Sequence, residues 1–402
     1  MRYFDGANCV LRSDELVSRQ ASAPPSKLRV ERAPPSLCCR VPLGYRAGMG
    51  FALTPAEDLA RQLGISVEAV ELARSSPFVD LHCDSFIWTR LFGYDLNKRH
   101  EVSPTGGRLG GHLDFPRAVD AGLSGAMWVI TTNPFRSRRS RWKTFQKNLA
   151  RWQAQVAASG GAVRQVARFS EYQRAASEGV HAALAKIQGG NALCPQAGYA
   201  DGIPGDVVTC VTVVHLTHSF LGRSSTPLPG WRGPGLTGEG RDLVRSLNEH
   251  RIFVDLAHIH PSAFREVLEV HDRSQPLIDT HTGVQGVRPH WRNLDDEQLR
   301  AIADTGGVVG VIFQASFLRA PGGPSDVGMV VDHIDHIVKV AGIETPAIGT
   351  DYDGAITPPP GLRNGLHFPR LVQALLDRGY GEEAIRKILG ENFLRSFRTL
   401  RP

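Results

Sequence analysis

The chain has 402 residues, 42% of them hydrophobic and 21% charged, with a formal net charge of +6; this is apolar content enough for one large core, and the Arg surplus is scattered along the chain, which argues against a nucleic-acid-binding module. No window approaches the roughly 18 uninterrupted apolar residues of a bilayer span, Met1 to Gly6 lacks a hydrophobic signal core, and Phe393 to Pro402 lacks the apolar tail of a lipid-anchor signal, so no membrane partner is expected. The six cysteines (Cys9, Cys38, Cys39, Cys83, Cys194 and Cys210) contain no Cys-x-x-Cys pair, which disfavours a zinc ribbon or a disulfide framework and predicts a soluble protein of a reducing, cytoplasmic compartment.

Residues 1–48 mix Arg, Pro and Ser without hydrophobic periodicity and read as a disordered leader, with Met49 an alternative start. Residues 49–402 then read as one domain. Thr54-Pro55-Ala56-Glu57 offers an N-cap, a Pro at the first helical position and a capping-box Glu, predicting a helix over 54–74. Eight short apolar runs rich in β-branched residues follow: 78–82, 125–131, 183–188, 208–216, 252–257, 276–280, 307–313 and 346–350. Amphipathic stretches of helical length lie between several of them, at 241–250, 261–271, 295–304 and 330–341. The basic run Arg136, Arg138, Arg139, Arg141 and Lys143 reads as a solvated loop entering a helix. Strand alternating with helix gives an α/β class with a parallel sheet, and eight strands predict closure into a (β/α)₈ TIM-type barrel, with a doubly wound open sheet as the alternative. No dinucleotide or phosphate-binding glycine motif is present.

Almost every predicted strand finishes on a titratable or metal-capable side chain: His82 and Asp84, Gln188, His218, His258, His281 and Asp351. In a barrel these ends converge on one mouth, where active sites sit. Alternate residues of a strand share a face, so His82 and Asp84 can grip one ion while Cys83 turns into packing. Taken singly, each histidine reads first as a hydrogen-bonded structural residue; their joint placement points to a metal.

The stretches Gly111-His-Leu-Asp-Phe-Pro-Arg117, Leu216-Thr-His218, Val254-Asp-Leu-Ala-His258, Arg292-Asn293, Gly349-Thr-Asp-Tyr-Asp-Gly354 and Ile388-Leu-Gly-Glu-Asn-Phe-Leu394 resemble the membrane (renal) dipeptidase family of zinc metallopeptidases, which use a barrel of the amidohydrolase type. The likeness runs from about Phe78 to Arg395. It implies that His82 and Asp84 are ligands of a first zinc ion and His258 and His281 of a second. The family's bridging ligand is a Glu before two glycines; here Gln188 precedes Gly189-Gly190, so Gln188 stands at the bridging position. A neutral amide brings no charge to offset two dications and supplies one oxygen at best, which favours one firmly held ion over two. Lys186, on the same strand face, reads as a paired or solvated lysine, with a bridging carbamate as the remote alternative. The resemblance further implies that His218 contacts the scissile carbonyl, that Arg292 holds the substrate carboxylate and that Asp351 orients the attacking water and shuttles its proton. His112, His215 and Asp353 read as structural.

The function implied is metal-dependent hydrolysis of the peptide bond in dipeptides or small peptide-like substrates with a free carboxylate, with zinc as cofactor and a homodimer compatible with the family. Two alternatives stand beside it: a specialised mononuclear amide hydrolase of a biosynthetic pathway, and a catalytically silent binding protein.

Overall fold

The computed structural model describes residues 54–101, 110–133, 136–193, 198–227 and 229–402; the expected leader lies outside them. Among the described residues, nine strands lie in one parallel sheet: β1 (Phe78–Cys83), β2 (Leu123–Thr131), β3 (Val163–Gln165), β4 (His181–Gln188), β5 (Val208–Thr212), β6 (Phe253–Asp255), β7 (Ile278–Thr282), β8 (Val308–Val311) and β9 (Pro346–Ile348). β1 pairs with both β2 and β9, and β2 pairs with β4 from Gly125↔Ala182 to Thr131↔Gln188. Those pairings close eight strands into the barrel that strand–helix alternation predicts. β3, which the hydrophobic pattern does not announce, pairs only with the start of β4 and stands outside the ring.

The two-residue period of a strand sorts side chains into two apolar clusters. On β4, Ala183, Ala185 and Ile187 join the larger cluster, packed with the surrounding helices, while Ala182 and Leu184 join a smaller one with Val79, Met127, Cys210, Phe253 and Ile278. Lys186 and Gln188 continue the second face, so both enter the barrel interior near its C-terminal end. The C-terminal helix Asn392–Leu400 adds Phe393 and Phe397 to that inner cluster, and Asn392 Nδ2 donates to the carbonyls of Ile343 and Pro346 at the start of β9. Just before it, Gly390 crosses so close to β1 that a Cβ would lie 1.6 Å from the Pro77 carbonyl oxygen.

Local chemistry explains most helix boundaries. The helix Gly238–Glu249 begins where the Thr237 side chain accepts the Gly240 amide, Pro261 opens Pro261–Val270, and Asp295 and Gln298 form a reciprocal capping box for Asp296–Asp304. The expected helix over 54–74 is two helices, Ala56–Leu63 and Val67–Ser75, broken at Gly64, whose φ of 67° ends the first. Its cap is Pro55 without a side-chain bond, so the Thr54 capping box does not form. The basic run is also corrected. Ser137 caps the helix Arg138–Ala157, Arg141 is buried with Nε donating to the Asn191 carbonyl (2.8 Å), and the Arg138 guanidinium lies 3.7 Å from the Phe220 ring centroid.

Candidate active site

Three buried aspartates form the floor of the site. Asp80 accepts the Thr350 amide (2.9 Å) and hydroxyl (2.6 Å) and the His82 amide (3.1 Å), tying β1 to the residues after β9. Asp279 accepts the His281 amide (3.2 Å). Asp255 accepts the hydroxyls of Thr212 (2.5 Å) and Thr280 (2.9 Å) and the amides of Thr280 (2.9 Å) and Ala257 (3.1 Å). Asp80 and Asp279 thus fix the backbone at His82 and His281, two residues ahead, and Asp255 fixes it at Ala257, just before His258. Burial pushes Asp80 up to about 6 and Asp279 up to about 7. Burial acts the same way and is the largest single effect on Asp255, but Lys186 and the Thr212 and Thr280 donors together outweigh it and hold that carboxyl below its ordinary value.

Above this floor the histidines gather. His82 Nε2 is 3.6 Å from Asp84 Oδ2 and 3.8 Å from Asp351 Oδ1. The rings of His82 and His281 have centroids 3.7 Å apart, and His281 Nε2 meets His258 Nε2 at 2.9 Å. One donor atom each from His82, His281 and Asp351 lies within 4.8 Å of the others. His215 packs edge-on against His258, with centroids 4.7 Å apart. His258, Asp351 and Asp353 all have left-handed φ values, of 65°, 59° and 67°; non-glycine residues in that region cluster where surrounding structure over-determines a functional geometry.

The electrostatics suit a cation. Burial drives His82, His258 and His281 far below the ordinary histidine value, and neighbouring positive groups, among them Lys186 and Arg292, push the same way. All three rings are therefore neutral near pH 7 and each keeps a nitrogen lone pair. Burial raises Asp84 to about 7 and Asp351 well above its ordinary range, and the neighbouring Asp84 charge pushes Asp351 the same way. Gly354 makes room for both carboxyls: a Cβ there would lie 2.3 Å from Asp351 Oδ1 and 2.8 Å from Asp84 Oδ2. Neutral imidazoles beside two crowded carboxyls form a mixed nitrogen and oxygen donor set that fits a borderline-soft divalent ion such as zinc.

The structure brings together His82, Asp84, His258, His281 and Asp351. Gln188, buried at the end of β4, accepts the Thr131 hydroxyl at Oε1 (3.1 Å), and the same hydroxyl lies 3.4 Å from Asp84 Oδ1. Arg292 is buried, and its Nη2 donates to the His281 carbonyl at 2.5 Å. His218 stands beside Trp231, with centroids 5.4 Å apart, and its Nδ1 accepts the Ser224 amide (3.3 Å). His112 and Asp353 bond each other through the His112 amide and Nδ1. Asp353 also takes the Ser85 hydroxyl and the Leu113 amide, which makes it a loop anchor.

Sequence reasoning missed the aspartate floor. Its signal was a carboxylate interrupting an apolar strand two or three residues before a histidine, in Asp80-Leu-His82, Asp279-Thr-His281 and Asp255-Leu-Ala-His258. Lys186 is paired, and fully buried: Nζ lies 2.8 Å from Asp255 Oδ2 and 2.6 Å from His82 Nδ1, and it also bonds the Thr280 hydroxyl.

Residues 67–401 match the family described as membrane dipeptidase (Peptidase family M19). An uncharacterized protein in the pqqA 5′ region of Klebsiella pneumoniae is 33% identical over 255 residues, covering 61% of this chain and 92% of that protein. Among solved structures, the metallo peptidase described as dipeptidase AC has a TM-score of 0.72 at 25% identity, covering 81% of this chain and 99% of its own. A Rhodobacter sphaeroides metallo peptidase, liganded with a phosphinate mimic of the dipeptide L-Ala-D-Ala, also has a TM-score of 0.72, at 24% identity with the same coverage, and shares the fold.

Proposed function

The chain belongs to the membrane dipeptidase family of metallopeptidases, a hydrolase family on a (β/α)₈ barrel, and we propose that it hydrolyses dipeptides or small peptide-like amides carrying a free carboxylate, using a single zinc ion. The observation that carries this reading is the convergence of neutral histidines with the Asp84–Asp351 pair at the barrel mouth. His258 and His281, whose Nε2 atoms lie 2.9 Å apart, are the proposed nitrogen ligands, and Asp351, with an oxygen within 4.8 Å of a His281 ring nitrogen, is the proposed carboxylate. Gln188 Oε1 and Asp84 Oδ1 meet at the Thr131 hydroxyl, and Asp84 lies beside His82. A zinc ion bound there supplies Lewis acidity for the scissile carbonyl and for water.

The remaining chemistry belongs to the chain. Asp351, ionised beside a bound cation, takes the proton of the attacking water and returns it to the leaving amine, a transfer suited to a carboxyl whose proton affinity burial raises. His218 accepts the Ser224 amide at Nδ1, which leaves its ring proton on Nε2 and makes that edge a donor to the carbonyl oxygen as negative charge develops. Arg292 is anchored by Nη2, and its buried Nε has no partner among the described residues; it is the proposed donor to a substrate carboxylate.

Gln188 favours one version of this function, a hydrolase specialised for a single peptide-like metabolite over a broad binuclear dipeptidase. A silent binding protein fits less well, because binding alone has no use for two buried carboxyls crowded beside neutral imidazoles. The test is to strip metal with a chelator and assay a panel of dipeptides before and after zinc is returned. Activity lost and then restored supports the reading; hydrolysis indifferent to zinc removal rejects it.

A further inference from the structure

We propose that Lys186 closes the His82–Asp84 half of the centre to metal and supplies the positive charge there itself, so that the protein holds one ion, on the His258–His281 side. This rests on the single-zinc reading above and gives it a physical cause beyond Gln188.

The argument is an accounting of protons. Asp255 receives donors on both oxygens: Oδ1 takes the Thr280 and Ala257 amides, and Oδ2 takes the Thr212 and Thr280 hydroxyls. A carboxylate so satisfied, fully buried and 2.8 Å from Lys186 Nζ, is an anion, and the lysine opposite it is its ammonium counter-ion. An ammonium has three N–H donors and no lone pair. Its three partners are Asp255 Oδ2, the Thr280 hydroxyl oxygen and His82 Nδ1. The hydrogen at the His82 contact is therefore the lysine's, and Nδ1 is the acceptor.

A neutral His82 that accepts at Nδ1 carries its own proton on Nε2. That nitrogen faces Asp84 and Asp351 at 3.6 Å and 3.8 Å, is buried and has no hydrogen-bond partner among the described residues. With its lone pair replaced by a hydrogen, it offers nothing to a cation.

His281 has the opposite arrangement. Its Nδ1 lies 3.0 Å from the Thr280 hydroxyl, whose own hydrogen goes to Asp255, so the ring donates there and its Nε2 lone pair accepts the Nε2 hydrogen of His258 at 2.9 Å. That hydrogen must move to His258 Nδ1 when a metal binds, the move that the Lys186 ammonium bars at His82 Nδ1. One threonine and one lysine thus set the two histidines in opposite tautomers. A second dication at His82 would also sit close to a fixed ammonium in a dry site, where like charges repel strongly. Restoring a carboxylate at position 188 leaves this obstacle in place.

Two measurements test the proposal. In metal-free wild-type protein labelled with ¹⁵N-histidine, the His82 ring, identified by its loss in His82→Asn, is expected in the Nε2–H form; an Nδ1–H pattern overturns the inference. Zinc content by elemental analysis is expected to stay near one ion per chain in Gln188→Glu and to approach two only in Lys186→Met/Gln188→Glu. Two ions in Gln188→Glu alone, or one in a folded double variant, overturns it. Should Asp255, left unpaired, prevent folding, adding Asp255→Asn removes the stranded charge, and the wild-type ring pattern decides in any case. Zinc absent from every form would reject the metal reading of the function, while the ring pattern still decides the role of Lys186.

Discussion

Arg292 Nη2 donates to the main-chain carbonyl of His281, so the proposed carboxylate clamp is bolted to the backbone of a proposed metal ligand. Substrate grip and metal position are set by one segment. Arg292→Lys keeps the charge and loses the fork, and the loss of one partner from a buried charged hydrogen bond costs about 2–5 kcal/mol. The expected result is a fall in kcat/KM on dipeptides of at least about tenfold, by the rule of about 1.4 kcal/mol per decade, with zinc content unchanged. C-terminally amidated dipeptides, which lack the carboxylate, should be poor substrates of the wild type and respond little to the substitution. An equal loss on both substrates would place Arg292 outside the substrate site.

Asp351 differs in its expected kinetic signature. Asp351→Asn removes the proton carrier but retains a similar shape, so kcat should drop by about 10²–10⁴, the range for general acid–base groups. Steady-state kinetics on one dipeptide, normalised to bound zinc, separates this from a ligand defect. A variant retaining full kcat would assign the proton transfer elsewhere.

The aspartate floor makes a stability prediction. Thr350→Ala leaves Asp80 Oδ2 without the hydroxyl that now bonds it at 2.6 Å, and an unsatisfied buried acceptor costs about 1–3 kcal/mol. Denaturant unfolding should show that loss. No change in midpoint would mean that Asp80 finds another donor.

Much of this architecture is legible in the sequence, because barrel strands buried on both faces give continuous apolar runs and their ends carry polar residues. His82, Asp84, His258, His281 and Asp351 stand at such ends and meet in space. The strand β3 is not legible, since three residues with polar Arg164 and Gln165 carry no period. Nor are the left-handed turns at His258 and Asp351: both residue types visit that region more readily than most, but tertiary packing decides where they do so. Lys186 was visible as a lysine on the right face, but its pairing with Asp255 joins strands far apart in sequence and depends on barrel closure.

The histidines outside the site predict a pH dependence of stability. His181 donates from Nδ1 to the Leu123 carbonyl (2.8 Å) and accepts Trp128 Nε1–H at Nε2 (3.2 Å). Burial lowers it from 6.5 to about 4. The unfolded chain binds the proton first as pH falls, so the neutral ring's contribution is complete above about pH 6.5 and is lost progressively down to about pH 4, a change of about 3 kcal/mol. His333, lowered to about 4 by burial, acts in the same direction. His181→Gln should be less stable than wild type at pH 7.5 yet lose stability less steeply on acidification; an unchanged slope would contradict the assignment.

Zinc stoichiometry of the wild-type protein, purified without chelator and measured by elemental analysis beside hydrolysis of a dipeptide panel, tests the central claim most directly. The account predicts about one ion per chain together with zinc-dependent turnover of a carboxylate-bearing substrate. Two firmly bound ions, or turnover with none, would contradict it.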